Sequence, residues 1–369
     1  NNGVDRLEII SAEELKKLEP NVSDEAKGAL YAKGGGIICP YELTIAAIGN
    51  AMDNGAKLIR NFEVVKITRD EEDNVYSVYS QDGNEVRAKV IINCAGIGSG
   101  KIAALTGDDL PSHGRRGEYI LLDKKDGQFV GHTLFFTPTA KGKGILVTNT
   151  VDGNVLLGPT AEEIADNDTS TTREGLADII EKANKMCKNP PIYDSITSFA
   201  GVRAYSDEHD FIIKESENFK GVIHLVGIES PGLTSAPAIG KYVVDKLVAK
   251  RIALKKTSNF NPTREPDCFF HNLTREEQNE LIKRDPSYGR IICRCERITE
   301  GEIIRAITVN PKATTIDSVK RRTRAGMGRC QGGFCQPSIA EIISRETGVP
   351  LGEITKSGRE SKLFKGVTK

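Results

Sequence analysis

The chain has 369 residues, enough for two or three domains and a buried core that needs no disulfides. Lysine plus arginine balance aspartate plus glutamate at 51 each, so no net field marks a nucleic-acid or anionic-membrane binder, and partners must be recognised locally. No apolar run approaches the roughly 20 residues of a spanning helix, and residues 1–6 lack signal-peptide character. Peripheral membrane association and a homo-oligomer stay open. Of the eight cysteines, Cys39, Cys94, Cys187 and Cys268 stand singly and four crowd into residues 293–335. That looks like a metal centre rather than a secreted disulfide framework, and it implies a reducing, cytoplasmic location.

In chain order, Ser11 with Glu14 reads as a capping box opening a short helix that stops before Pro20. Glycines 34–36 suit a tight turn, and a helix is expected from about Glu42 to Asn54. From Lys57 to Asn93 the alternation predicts an antiparallel meander with turns at 70–74 and 82–83. Its last strand turns wholly apolar through Ile92, as expected on entering a covered parallel sheet. Residues 117–215 are β-rich around a helix at 172–187. A second apolar strand, "GVIHLVGI", then meets the loop "ESPGLTSAPAIG" and a helix from about Ala238 to Arg251. Strand, glycine loop and helix together present backbone N–H groups to an anion. Residues 252–290 read as a linker with one short helix, followed by small capped helices opening at Thr299, with Glu302, and at Thr315.

"IICRCE" supplies Cys293 and Cys295, and "GRCQGGFC" supplies Cys330 and Cys335, giving C-x-C, 34 residues, then C-x4-C. Four thiolates suit a [2Fe-2S] cluster or a structural zinc. The spacing favours the cluster, since it resembles the bacterioferritin-associated ferredoxin type of [2Fe-2S] domain. The glycines of "GRCQGGFC" let backbone amides approach the cluster sulfides. The nearby Lys320, Arg321, Arg322 and Arg324 read better as a solvated helix face, or as compensation for cluster charge, than as a nucleic-acid patch.

Eight segments, "YAKGGGIICP", "NFEVVKI", "VIINCAGIGSGKIA", "GRRGEYILLD", "VDGNVLLGPTAEE", "FAGVRA", "GIESPGLTSAPAIG" and "YGRIICRCE", resemble in that order the D-amino acid oxidase superfamily of FAD enzymes. The similarity is greatest to FAD-dependent glycerol-3-phosphate dehydrogenases and L-2-hydroxyglutarate dehydrogenases carrying a C-terminal ferredoxin-like domain. The resemblance implies an α/β fold: a doubly wound FAD domain interleaved with an antiparallel substrate-capping sheet, plus a small helical [2Fe-2S] domain. The expected boundaries are 1–258, a linker at 259–288, the cluster domain at 289–347 and a tail at 348–369. By that likeness Val64 meets the adenine, Ala95, Gly96 and Gly201 pass close to FAD, and Pro231, Gly232, Leu233, Thr234 and Ser235 place amides at the flavin N1 and C2 carbonyl, where hydride transfer leaves negative charge. Arg203 would grip a substrate carboxylate or phosphate, with Tyr119, Arg116 and His132 as further pocket candidates and His132 as a base.

Two departures matter. The G-x-G-x-x-G turn that seats the FAD pyrophosphate is missing, so the chain is expected to begin about a hundred residues inside a longer protein and to bind FAD poorly alone. "AGIGSGK" at 95–101 is no substitute, because Ala95 and Ile102 break the P-loop pattern. Gly232 also stands where glycerol-3-phosphate dehydrogenases have a lysine. A small anionic alcohol, foremost glycerol 3-phosphate, is the expected substrate, and the expected partner is an electron-acceptor protein or subunit. The alternatives are a 2-hydroxy acid or amino acid dehydrogenase, and a zinc-stapled protein without catalysis.

Overall fold

The computed structural model describes residues 3–70, 72–73, 75–138, 144–165, 167–266 and 269–366; Cys268 and part of the turn expected at 70–74 lie outside them. The chain opens with β1 (Leu7–Ser11) and β2 (Gly28–Ala32), an antiparallel pair spanning α1 (Ala12–Leu18). The Ser11 capping box forms, with the Ser11 N–H donating to the Glu14 carboxylate at 2.9 Å. Helix α2 (Pro40–Asp53) starts on Pro40, whose missing N–H would have no partner in a first turn anyway. The meander follows as β3 (Val64–Asp70), β4 (Val75–Ser80) and β5 (Glu85–Ala88). It begins later than the sequence suggests. Leu58 and Ile59 are exposed and lie outside regular structure, and no strand among the described residues pairs with them.

Next, β6 (Ile91–Asn93) leads through the loop at 94–98 into α3 (Ser99–Ala104). The largest sheet is antiparallel and contains β7 (His113–Leu122), β8 (Leu134–Phe135), β9 (Leu146–Asn149), β10 (Val155–Gly158), β11 (Glu162–Ile164) and β12 (Ser195–Tyr205). Its spine is β7, paired with β12 along one edge and with β10 and β11 along the other. Helix α4 (Arg173–Met186) covers one face, where Ile179 and Ala183 pack with Leu122, Val147 and Leu157. Then β13 (Ile212–Glu215) pairs antiparallel with β14 (Val222–Val226), and β14 pairs parallel with β6, from Val222 opposite Ile91 to His224 opposite Asn93. Helix α5 (Gly232–Tyr242) starts before the expected Ala238. It accommodates Pro237 in its second turn at the cost of one backbone hydrogen bond.

A buried polar network fixes the carboxyl ends of this parallel pair. Asn93 Nδ2 donates to the Ser99 carbonyl at 2.8 Å and lies 3.1 Å from His224 Nδ1, while Asn93 Oδ1 accepts the Ala95 N–H at 3.2 Å. That leaves His224 Nε2 as the donor to Asp108, 3.3 Å away. Asp108 also accepts from Ser216 at 2.5 Å, Thr106 at 2.6 Å and the Glu217 N–H at 2.9 Å. Burial alone would raise the Asp108 carboxyl, but these donors win and hold it down at about 2. Burial pushes His224 below its ordinary value, against the pull of Asp108, so the imidazole is neutral.

The C-terminal part holds α6 (Arg275–Arg284), β15 (Ile291–Cys293), β16 (Ile298–Thr299), α7 (Glu300–Thr308), α8 (Ile316–Thr323) and α9 (Gln336–Thr347). The last three helices share a core of Ile303, Ile307, Ile316, Val319, Ile339 and Ile343. The segment expected to be a tail folds back: Ile354 is buried in that core, and Leu363 and Phe364 pack against it. No helix among the described residues is long and apolar enough to cross a membrane.

Because the folded Asp108 carboxyl binds its proton less tightly than the unfolded chain's, at 3.8, the stability it contributes is complete above about pH 4 and fades as the pH falls toward about 2. Asp108→Ala strands three side-chain donors and is expected to cost about 2–4 kcal/mol at neutral pH. Urea unfolding of wild type and variant at pH 7 and pH 3 checks both, since the gap between them should narrow in acid.

Candidate active site and cluster site

Strand pairing puts two rows of side chains on opposite faces of the β7/β12 ladder. Opposite residues share a face, so Tyr119 with Phe199 and Arg115 with Arg203 stand together around Gly201. The Tyr119 and Phe199 rings stack with centroids 5.2 Å apart. A side chain grown at Gly201 would meet nothing within 4 Å, so the floor between Phe199 and Arg203 is open. Two arginines directly opposite one another repel. Arg115 is neutralised by Glu229 at 3.2 Å and Glu163 at 3.5 Å, and it stacks over the Tyr205 ring at 4.3 Å. Arg203 makes no ion pair among the described residues, and its buried Nε has no hydrogen-bond partner. A cation left so, beside an open floor, suits an incoming anion.

Arg116 faces the other way. One residue along a strand reverses the side, and Arg116, only 5% exposed, is held there by Glu162 at 2.5 Å, Asp168 at 2.7 Å and Glu118 at 3.7 Å. The arginine on the open face is Arg115, which sequence reasoning passed over; counting alternation back from Tyr119 would have found it. His132 stands elsewhere, its Nδ1 2.5 Å from the buried Glu19 carboxylate and its Nε2 3.3 Å from the Tyr31 hydroxyl.

The cofactor-loop candidates gather beside this face. At the carboxyl end of β6, Ala95 and Gly96 are exposed, Gly96 at φ 58° with open space around it, and the turn they begin packs against β12. At the carboxyl end of β14 the loop through Glu229, held to Arg115, runs into Pro231, Gly232, Leu233, Thr234 and Ser235, where α5 starts with no side-chain cap. Two parallel strands ending in glycine-bearing loops, with an uncapped helix N-terminus, form the crevice in which such sheets bind nucleotide cofactors. Val64 lies at the start of β3 and packs with Ile91 and Val222, on the side of the same pair. These residues fit FAD.

The four cysteines meet. Cys293 Sγ lies 3.7 Å from Cys295 Sγ, which lies 3.9 Å from Cys330 Sγ. The Cys335 thiol and the Gly326 and Glu296 N–H groups donate to Cys293 and hold its thiol well below the ordinary value, against the pull of burial. The Phe334 and Gly332 N–H groups face Cys330. Cys293 and Cys335 are buried whereas Cys295 is exposed. A Cβ at Gly328 would come within 2.5 Å of Cys295 Sγ, so only glycine lets the backbone pass there. Convergent thiols with backbone donors aimed at them fit a [2Fe-2S] cluster.

The model of the FAD dependent oxidoreductase family matches residues 1–246. The chain belongs to that family. Residues 291–345 match the BFD-like [2Fe-2S] binding domain, so this FAD-dependent oxidoreductase also has an iron–sulfur domain. It is 48% identical over its whole length to a glycerol 3-phosphate dehydrogenase of Caloramator mitchellensis, of which it spans 76%. It is 24% identical to an anaerobic glycerol-3-phosphate dehydrogenase subunit of Escherichia coli K12, over 92% of this chain and 68% of the relative. Among solved structures, dithionite-reduced L-α-glycerophosphate oxidase from Mycoplasma pneumoniae with FAD bound is 30% identical and superposes with a TM-score of 0.65, covering 71% of this chain and 68% of the other.

Gly328→Ala should lower the iron and acid-labile sulfide retained per chain and the cluster's visible absorbance. The C-terminal helices should keep their far-UV signal, because the clash lies at the sulfur and not in their core.

Proposed function

We propose that this oxidoreductase oxidises glycerol 3-phosphate, passing electrons through its cluster to an acceptor outside the chain. The observation that carries the reading is the unpartnered Nε of Arg203 on the open face beside the cofactor loops. A phosphate dianion on that guanidinium gains two-point, charge-assisted hydrogen bonds. The names of the relatives support this substrate. Bound FAD supplies the hydride acceptor and the [2Fe-2S] cluster supplies one-electron transfer.

The chain's own groups divide the remaining work. Arg203 orients the phosphate, and Arg115, already neutralised, holds the Glu229 end of the cofactor loop. Burial raises the Tyr119 phenol, so near neutral pH it is a hydrogen-bond donor to substrate and not a base. His132, held between the Glu19 carboxylate and the Tyr31 hydroxyl, stands away from this face and is given no part in proton transfer. The uncapped start of α5 stabilises negative charge arriving at the cofactor. One relative is named for a subunit, which supports a partner chain as acceptor, and thiolate ligation of iron supports a reducing, cytoplasmic setting.

The test is anaerobic bleaching of the FAD-reconstituted protein by glycerol 3-phosphate, L-2-hydroxyglutarate and a panel of amino acids. Bleaching by glycerol 3-phosphate is expected; bleaching by an amino acid or the 2-hydroxy acid alone defeats the reading. Arg203→Ala should raise KM for glycerol 3-phosphate by about a hundredfold, in line with roughly 1.5–3 kcal/mol for a hydrogen bond to a charged group. Arg116→Ala, on the opposite face, should lower Tm and leave KM unchanged.

A further inference from the structure

The basic run at 320–324 divides in the fold. Arg321 is exposed on α8, whereas Arg324 is 6% exposed and sits in the left-handed region at φ 68°, an uncommon conformation for a long side chain. Its guanidinium is shared between two parts of the chain. Nε donates to Glu296 at 2.9 Å, and Glu296 follows the ligand Cys295 directly. Nη1 donates to Asp152 at 2.5 Å and Nη2 to Asn154 Oδ1 at 3.1 Å, both in the turn between β9 and β10 of the large sheet. Glu296, itself buried, receives a second cation from that sheet, Lys124 at 2.8 Å, and Arg329 reaches Asp123 at the end of β7. Asn154 in turn donates to the Leu122 carbonyl of β7 at 2.9 Å. Charges alternate across the seam: carboxylates on the sheet side face arginines on the cluster side, and one cluster-side carboxylate faces a sheet-side lysine.

We propose that Arg324 is a positioning residue for electron transfer, clamping the Cys293–Glu296 ligand loop to the substrate sheet so that the cluster stands at a fixed place relative to the cofactor crevice. The inference rests on the reading that reduced FAD passes electrons to the cluster. Substrate delivers two electrons to FAD as hydride. Each electron that leaves reduces one ferric ion of the cluster to ferrous, and a one-electron acceptor outside the chain reoxidises it. Such transfer depends on a held geometry, and a buried arginine with three partners holds one better than any exposed pair at the seam. A role confined to the cluster domain's own fold would need Glu296 but not Asp152, which belongs to the sheet.

The test compares the full chain, reconstituted with FAD, iron and sulfide, with Arg324→Gln, Arg324→Lys and Asp152→Asn. Asp152→Asn leaves the cluster domain's sequence intact, so it keeps its force if the arginine variants fail to assemble the cluster. Cluster content and its EPR signal should match wild type in Asp152→Asn. Glycerol 3-phosphate should bleach the flavin at the wild-type rate, while cluster reduction, followed at its own wavelength, slows by roughly tenfold or more. Tryptic cleavage within 252–275 should quicken as the domain undocks, and Arg324→Lys should recover part of both losses, since it keeps the charge without the planar fork. Wild-type cluster reduction in Asp152→Asn and Arg324→Gln overturns the proposal. If no substrate bleaches even the wild-type flavin, the reading of function fails separately. The clamp is then judged on proteolysis alone, where unchanged cleavage in Asp152→Asn overturns it.

Discussion

An ion taken out of water without a counter-ion costs several kcal/mol, and the placement of charge in this chain follows from that cost. Asp108 is buried because four donors surround it. Arg116 is buried because three carboxylates close on it, and Arg324 because Glu296, Asp152 and Asn154 do. Against that background Arg203 stands out, because among the described residues no carboxylate pairs with it. Buried Arg116 also has an Nε without a hydrogen bond, but three carboxylates close on its guanidinium, whereas half-buried Arg203 makes no ion pair among the described residues, which is how a binding site differs energetically from a structural ion pair.

Local chemistry was legible wherever one turn of chain decides the outcome. The boxes at Ser11 and Thr299 formed with their predicted partners, because a capping residue and its third neighbour need no tertiary information. The C-x-C and C-x4-C spacing likewise brought the Cys293, Cys295 and Cys330 sulfurs within 4 Å of a neighbour and set the Cys335 thiol against Cys293, as two short loops joined through helices allow. Long-range facts were harder. Choosing between Arg115 and Arg116 requires knowing which face of β7 is open, and that is fixed by pairing with β12, some eighty residues away. The basic run near 320 looked uniform in sequence, yet Arg324 left the helix at its left-handed cap and entered a seam whose carboxylates come from residues 152 and 296. Pro237 hid the start of α5, since a proline in the second turn reads locally as loop.

The two centres are joined through one strand. Tyr119, on the open face, and Asp123, which holds Arg329 at the cluster seam, are four residues apart, about 13 Å along an extended chain. Between them Leu122 is fully buried against α4, and its carbonyl anchors Asn154, itself a partner of Arg324. A strand packed on one face and hydrogen-bonded along both edges has little freedom to bend. The position of the cluster domain is therefore referred to the same rigid element that carries the open face, together with α2, where Asp53 accepts from Asn310 at 3.0 Å and from Arg264 of the joining segment at 2.8 Å. A covalent connection alone would leave the distance between cofactor and cluster to fluctuate; a connection made through β7 and its paired charges, with Arg264 and Asp53 at a second place, sets that distance by packing.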